Sequence, residues 1–276
     1  MRRLRSIAVW LLFGIVLVVL LAPLVVVIGG SFSAPPPGGL IMSYVEFPPR
    51  DWTLLWYRRI PVEQFHALGL SILLGIGAAS GACLIGIPAA LGVVRGRFPG
   101  KAVVSAVLRA PLQIPAVVSG IAFLELYYLV GDWTEIDLQG TFIGLLIAHI
   151  FLTTPFVFGS VAAVLQKFNP RLEEAALTLG ASRWRIFRRV TLPLIMPGVY
   201  TGGLYAFIVS FIDVPISLFL SASGLVPYPV ELFYAMENEF NPSILASASL
   251  VILFSFALLL IMQRLVGLER LLRFGS

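Results

Sequence analysis

Long apolar runs separated by short polar intervals set the pattern of this chain. Roughly 20 consecutive apolar residues, wound as an α-helix, cross the ~30 Å hydrocarbon core of a bilayer. Six runs meet that length: Ile7–Gly29, Ala67–Val94, Val104–Val130, Thr141–Val164, Leu194–Leu220 and Ser243–Val266. The second and third contain Gly75, Gly77, Gly81 and Pro88, and Pro111 and Pro115. Membrane helices accept these residues because neighbouring helices satisfy the freed backbone groups and small residues allow close packing. The first run follows Met1-Arg2-Arg3-Leu4-Arg5. It is longer than the apolar stretch of a signal peptide and shows no small-x-small cleavage site, so it reads as a retained helix. The pattern predicts an all-α, polytopic integral membrane protein of six transmembrane helices, one transmembrane domain over residues 1–276, with a polar loop at 165–193.

Composition agrees. The chain is 59% hydrophobic and 12% charged, with a mean hydropathy of +0.97. Soluble domains run nearer 45–50% apolar and about 25% charged, so a water-facing surface could not be covered here. A single cysteine, Cys83, excludes an internal disulfide framework. His66 and His149 lie far apart in sequence. The net charge of +5 is explained by topology rather than by nucleic acid. All of the 19 Lys and Arg except Arg50, Arg58 and Arg59 fall before run one, around the 2–3 and 4–5 loops, or after run six. The positive-inside rule then puts both termini in the cytoplasm. The longest outside loop opens Ala34-Pro35-Pro36-Pro37-Gly38-Gly39 and carries Trp52, Trp56 and Tyr57. These aromatics suit an interfacial belt, or alternatively a docking surface for an external partner.

The interval Lys167–Pro193 carries the densest local information. Asn169-Pro170 reads as a helix start, with Glu173 and Glu174 near the positive end of the dipole. Ala175, Ala176, Leu177 and Leu179 continue as helix formers, Gly180 suits a left-handed stop, and Ser182 caps a second short helix. In that helix Trp184, Phe187 and Val190 recur opposite Arg185, Arg188 and Arg189. Two short helices on the inner membrane face are expected. Basic residues meeting anionic lipid would explain the arginines. That reading leaves the acid pair, the glycine and the closing Leu192-Pro193 without a role.

This stretch resembles the EAA loop of permease subunits of type I ABC importers: Glu-Ala-Ala, three residues, Gly, nine residues, Ile, one residue, Leu-Pro. Here Glu174-Ala175-Ala176, Gly180, Val190 and Leu192-Pro193 hold every spacing, with Val190 in place of Ile. The resemblance implies a type I importer permease fold in a bacterial cytoplasmic (inner) membrane. It also implies a loop that docks on a separate ATP-binding subunit. Glu174 would be the polar anchor, Glu173, Ala175 and Ala176 would belong to the same coupling segment, and Gly180 would permit the bend. Trp184 and Phe187 would add apolar contact, and Leu192 and Pro193 would close the loop. It further implies a second permease subunit, identical or related, and an extracytoplasmic solute-binding protein.

The chain has no P-loop of its own. In Gly96-Arg97-Phe98-Pro99-Gly100-Lys101-Ala102 the glycines are one residue too close and Ala102 follows the lysine. No nucleophile elbow, H-E-x-x-H or supported carboxylate pair occurs. Neither catalysis nor a cofactor or metal is therefore expected in this chain.

Charged residues inside spans are costly and commonly functional. Asp213 in run five, beside Phe211, and Glu125 in run three, near Tyr127 and Tyr128, are candidates for a solute path. Acids among aromatics suit a cationic, partly apolar solute; structural pairing inside the bundle is the alternative. The stretch Ala206–Leu220, the segment Pro229–Phe233 and the tail Arg264–Leu271 resemble spermidine/putrescine-type permeases. Those permeases usually place an acid directly after the phenylalanine, where this chain has Ile212. A polyamine or similar organic cation is the expected solute. Two other function classes remain open. One is a gradient-driven secondary transporter or channel using Asp213 and Glu125, against which no internal repeat is evident. The other is a membrane-embedded enzyme, for which a catalytic constellation is missing.

Overall fold

The computed structural model describes residues 2–35, 47–238 and 242–273; Pro36, Pro37, Gly38 and Gly39 of the turn-rich stretch lie outside the described residues. Its elements in chain order are α1 (Arg2–Gly30), α2 (Leu55–Arg58), α3 (Val62–Arg95), α4 (Lys101–Arg109) and α5 (Ala116–Thr134). Then come α6 (Phe142–Lys167), α7 (Arg171–Thr178), α8 (Arg183–Ile186), α9 (Leu192–Phe211), α10 (Pro215–Leu220), α11 (Tyr228–Asn238) and α12 (Ser243–Arg273). Among the described residues five helical stretches are long and apolar enough to cross a membrane: Val9–Gly30, Val62–Arg95, Ala116–Thr134, Phe142–Lys167 and Arg183–Phe211. The sixth predicted run is helical too, as α12, with Ser243–Leu258 as its described apolar part. The chain is an all-α polytopic protein.

Two predicted runs are corrected. Run three was expected unbroken over 104–130. Instead α4 ends at Arg109, a 3₁₀ turn spans Ala110–Leu112, and α5 starts only at Ala116. Two prolines explain the break: Pro111 sits in the tight turn and Pro115 at the cap of α5, where a missing N–H costs nothing. Run five was expected at 194–220. The helix begins earlier, at Arg183, passes through a π-helical turn at Phe187–Thr191, and ends at Phe211. Pro215 then opens α10 after a break at Ile212–Val214. Pro215 offers no N–H to the preceding turn, so the i to i−4 ladder of α9 cannot run through it.

The chain clusters into two compact units, residues 66–230 with 261–276, and residues 1–65 with 231–260. In the first, α6 is the central helix. One apolar layer joins Ala82, Ala90 and Val93 of α3 to Val157, Phe158, Val161 and Leu165 of α6 and Ile195 and Ala206 of α9. A second layer joins Leu74, Tyr127, Leu145, Ala148, Ile216 and Leu220. The α6–α9 contact is backbone to backbone. A Cβ on Gly198 would stand 2.9 Å from the Ser160 carbonyl oxygen, and one on Gly202 2.7 Å from Val157 Cα. The Gly198-x-x-x-Gly202 spacing puts both on one helix face, the arrangement by which small residues let membrane helices approach closely.

In the other unit, the aromatic-rich loop forms a small core. Trp56 packs with Ile60, Ala246 and Tyr57. Its indole N–H donates to the Ser33 carbonyl at 2.7 Å, and the Tyr57 hydroxyl lies 2.8 Å from Ser31 Oγ and 2.9 Å from Ser249 Oγ. Trp56 is therefore a core residue and not part of an interfacial belt, since a satisfied indole can be buried whole. Trp52 alone of the three keeps an exposed ring.

Gly202→Leu should destabilise the chain by more than the ~1–3 kcal/mol usual for overpacking, because the obstacle is backbone that cannot rotate away. Gly159→Ala, with nothing within 4 Å of the added carbon, should shift stability by less than about 1 kcal/mol. Thermal unfolding of the two detergent-solubilised variants checks the contrast; equal melting temperatures would contradict the close approach.

Candidate functional site

The loop between α6 and α9 is built by four local devices. Asn169 Oδ1 accepts the Arg171 N–H at 3.1 Å, and the Pro170 carbonyl accepts from the N–H groups of Glu173 and Glu174. α7 thus starts one residue later than the Asn169-Pro170 signal predicts, with Pro170 itself at the cap. At the other end Gly180 adopts φ +78°. The Gly180 N–H donates to Leu177 O and the Ala181 N–H to Ala176 O, the paired bonds of a Schellman stop. Ser182 Oγ accepts the Arg185 N–H at 3.4 Å and opens α8. The expected second short helix is not separate. It is the first turn of the helix that runs on, through the π turn, into α9.

This element exposes apolar side chains well away from the core. Leu179 is 87% exposed, Trp184 68%, and Leu172 and Leu177 about half. Ala175, Gly180 and Glu174 are also exposed, while Ala176 is partly covered. The Trp184 and Phe187 rings stack at 5.6 Å, so together they form one aromatic plate. The expected stripe of Trp184, Phe187 and Val190 is incomplete, because Ile186 is the side chain that turns inward and is buried. Leu192 is half-buried against the α3–α6–α9 layer and Pro193 is exposed, both within the continuing helix. Clustered apolar exposure of this kind marks a surface that another molecule covers.

The two acids of the loop part company. Glu174 points outward. Glu173 Oε1 accepts from Thr191 Oγ1 at 2.8 Å and lies 3.5 Å from Arg95 Nη2. The Arg95 guanidinium sits over the Phe168 ring at 4.9 Å.

The four expected path residues do not form one surface. Asp213 is buried, and its Oδ2 accepts from the Ser217 N–H at 2.9 Å and from the Ser217 hydroxyl at 3.2 Å. It therefore satisfies the start of α10, where the proline break leaves N–H groups without helical partners. Phe211 is buried and stacks on Phe207 at 5.7 Å. Tyr127 is buried and its hydroxyl donates to the Gly144 carbonyl at 2.6 Å. Glu125 stays exposed on α5. Sequence reasoning missed His149. It lies wholly buried on α6, with Nδ1 2.7 Å from Ser210 Oγ, and Nε2 3.1 Å from Ser217 Oγ and 3.9 Å from Asp213 Oδ2. It ties the end of α9 to the start of α10. Its one signal in sequence was a histidine in mid-span, a residue type that must be paired there. Among the described residues no group of three His, Cys, Asp or Glu side chains could hold a metal. Lys101, in the stretch that resembles a P-loop, donates to the Val94 and Gly96 carbonyls and so caps the end of α3.

Residues 82–268 match the family model described as the binding-protein-dependent transport system inner membrane component. The chain belongs to this family. It is the permease subunit of a binding-protein-dependent ABC importer, a multi-pass inner-membrane component and not itself a catalytic subunit. Putrescine transport system permease protein PotI of Escherichia coli (strain K12) is 31% identical over 204 residues, 73% of each chain. Spermidine/putrescine transport system permease protein PotC of Haemophilus influenzae (strain ATCC 51907 / DSM 11121 / KW20 / Rd) is 32% identical over 210 residues, 75% of this chain and 79% of that protein. The fold matches a bacterial ABC transporter involved in the import of the acidic polysaccharide alginate, with TM-score 0.73, 20% identity and 96% of each chain covered.

His149→Ala should strand the buried Ser210 hydroxyl, while Ser217 keeps its bond to Asp213. A cost of about 1–3 kcal/mol is expected for the stranded group. Thermal unfolding of the purified permease reads the loss, and a melting temperature equal to the native one would contradict the network.

Proposed function

We propose that this permease subunit moves a polyamine or similar organic cation inward. The solute is delivered by an extracytoplasmic binding protein and driven by separate ATP-binding subunits seated on the α7–α8 element. The exposed apolar cluster on that element carries the reading. A helix of eight residues that shows Leu172 and Leu177 to solvent, with Leu179 exposed at its cap, is costly unless a partner buries it. The sequence pattern around Glu174, Ala175, Ala176 and Gly180 is the one that docks on an ATPase in importers of this kind. Glu174 supplies the outward acid, Trp184 with Phe187 the aromatic plate, and the left-handed turn at Gly180 the bend between them. Leu192 and Pro193 lie where the docked element enters α9, while Glu173 and Ala176 face the permease itself.

The path lies between this chain and a second permease subunit, the same or a related chain. Both termini are cytoplasmic, as the distribution of Lys and Arg argues. For the solute, the similarity to polyamine permeases over about three quarters of the chain supports an organic cation. Glu125 is then the path carboxylate of α5, open to a cation. Asp213, Phe211 and Tyr127 shape the wall from behind by fixing α10 against α5 and α6. A sulfate transport system permease protein, CysT of Escherichia coli (strain K12), is 31% identical over 59% of this chain. The cognate binding protein is therefore where the solute is tested.

Affinity purification of the tagged permease should bring down the ATPase subunit, and Glu174→Arg should deplete it by about tenfold or more, as expected for a charge reversed at an interface. Undiminished recovery with Glu174→Arg would refute the docking role. Calorimetric titration of the cognate binding protein should show putrescine or spermidine binding and none of sulfate; the reverse would refute the cation. A fluorescent protein fused after Ser276 should fluoresce in the cytoplasm, and a periplasmic phosphatase fused there should be inactive.

A further inference from the structure

The acid pair of α7 sits one residue apart, which is about 100° round the helix. That separation divides its labour: Glu174 outward, Glu173 into the permease. The inward half meets two other elements at one point. Arg95 is the last residue of α3, and Thr191 is the last residue of the π turn that feeds α9. Thr191 is buried, and the Arg95 and Glu173 side chains are about three quarters covered in a loop that is otherwise open. Phe168, the first residue after α6, forms the floor under the guanidinium. The ends of α3, α6 and α9 therefore all close on the base of α7.

Two features make this contact able to change. Arg95 Nε and Nη2 are shielded from solvent, and among the described residues neither makes a hydrogen bond. The Nη2 to Glu173 distance of 3.5 Å is a charge contact longer than a formed N–H···O bond. A guanidinium fork matches a carboxylate in a bidentate pair, so a small shift of α7 toward α3 would satisfy both stranded donors. The second feature is the π turn at Phe187–Thr191, a winding that is rare in helices and recurs at functional sites. A contact transmits a signal only if it differs between states, and this one has room to differ.

We propose that Arg95, Glu173 and Thr191 form a yoke through which the docked element moves α3 and α9 together. The yoke rests on the docking reading above. Its members are positioning residues: they touch neither ATP nor solute. The ATPase holds the outer face of α7, and the yoke holds the inner face.

The test uses the whole complex in proteoliposomes, with binding protein purified carrying its own solute. The readout is ATP hydrolysis with and without that binding protein. Thr191→Val and Arg95→Gln should keep the ATPase subunit and basal hydrolysis, and lose about tenfold of the stimulation, a typical coupling between distant sites. The paired swap Arg95→Glu with Glu173→Arg should regain part of it. Wild-type stimulation in both single variants overturns the yoke while leaving the importer reading intact. So does loss of the ATPase from the Arg95→Gln complex, which would make Arg95 a docking residue, or a swap as poor as the singles. A wild-type permease that brings down no ATPase refutes the importer reading, and the yoke with it.

Discussion

The close approach of α6 to α9 is the constraint on which the rest of the first unit depends. Gly198 and Gly202 remove the side chains that would hold the two backbones apart. Val157, Val161 and Leu165 then pack in one apolar layer with Ile195 and Ala206. In a bilayer such packing, rather than expulsion of water, is what holds helices together. The geometric consequence lies at the end of the pair. The loop between α6 and α9 has both of its roots on one tightly joined hairpin, so α7 is presented from a firm base rather than from a floppy connection.

Around that base, polar groups are placed where the backbone is interrupted. The break at Ile212–Val214 would leave the first N–H groups of α10 bare, and Asp213 turns inward to meet them. His149 bridges Ser210 on one side of the break and Ser217 on the other. Irregular backbone at membrane depth is tolerated only where it is buried in protein and satisfied in this way. The same logic covers Pro111 and Pro115, which shorten the third run and leave Ala110–Leu112 as a tight turn. The acid that hydropathy singles out in run five is thus a structural cap, and Glu125, on a regular stretch of α5, is the one left open.

Much of this was legible in the chain itself. The apolar runs, the Gly180 stop and the Ser182 cap are local features, set by residues within a turn or two; the stop and the cap stand as read, while runs three and five are broken at their prolines. The Glu-Ala-Ala spacing carries the loop's resemblance to those of importer permeases. What could not be read was what each side chain turns toward. Trp52, Trp56 and Tyr57 looked equivalent, yet Trp56 and Tyr57 find polar partners and an apolar niche while Trp52 stays exposed. Glu173 and Glu174 stand side by side in one coupling segment, yet Arg95, distant in sequence, pairs with Glu173. His149 had no partner in its own neighbourhood, because Ser210, Asp213 and Ser217 come from another span. Long-range pairing, not local propensity, decides these cases.

The central claim is that α7 and its following turn lie against an ATP-binding subunit. The most direct measurement is cross-linking from Leu179, the most exposed apolar residue of the loop. A photoreactive amino acid placed there in the intact cell should yield one adduct, with the ATPase subunit, while the same group at Trp133 yields none. Irradiation that leaves position 179 free of the ATPase, in cells that carry out ATP-dependent uptake, would contradict the account.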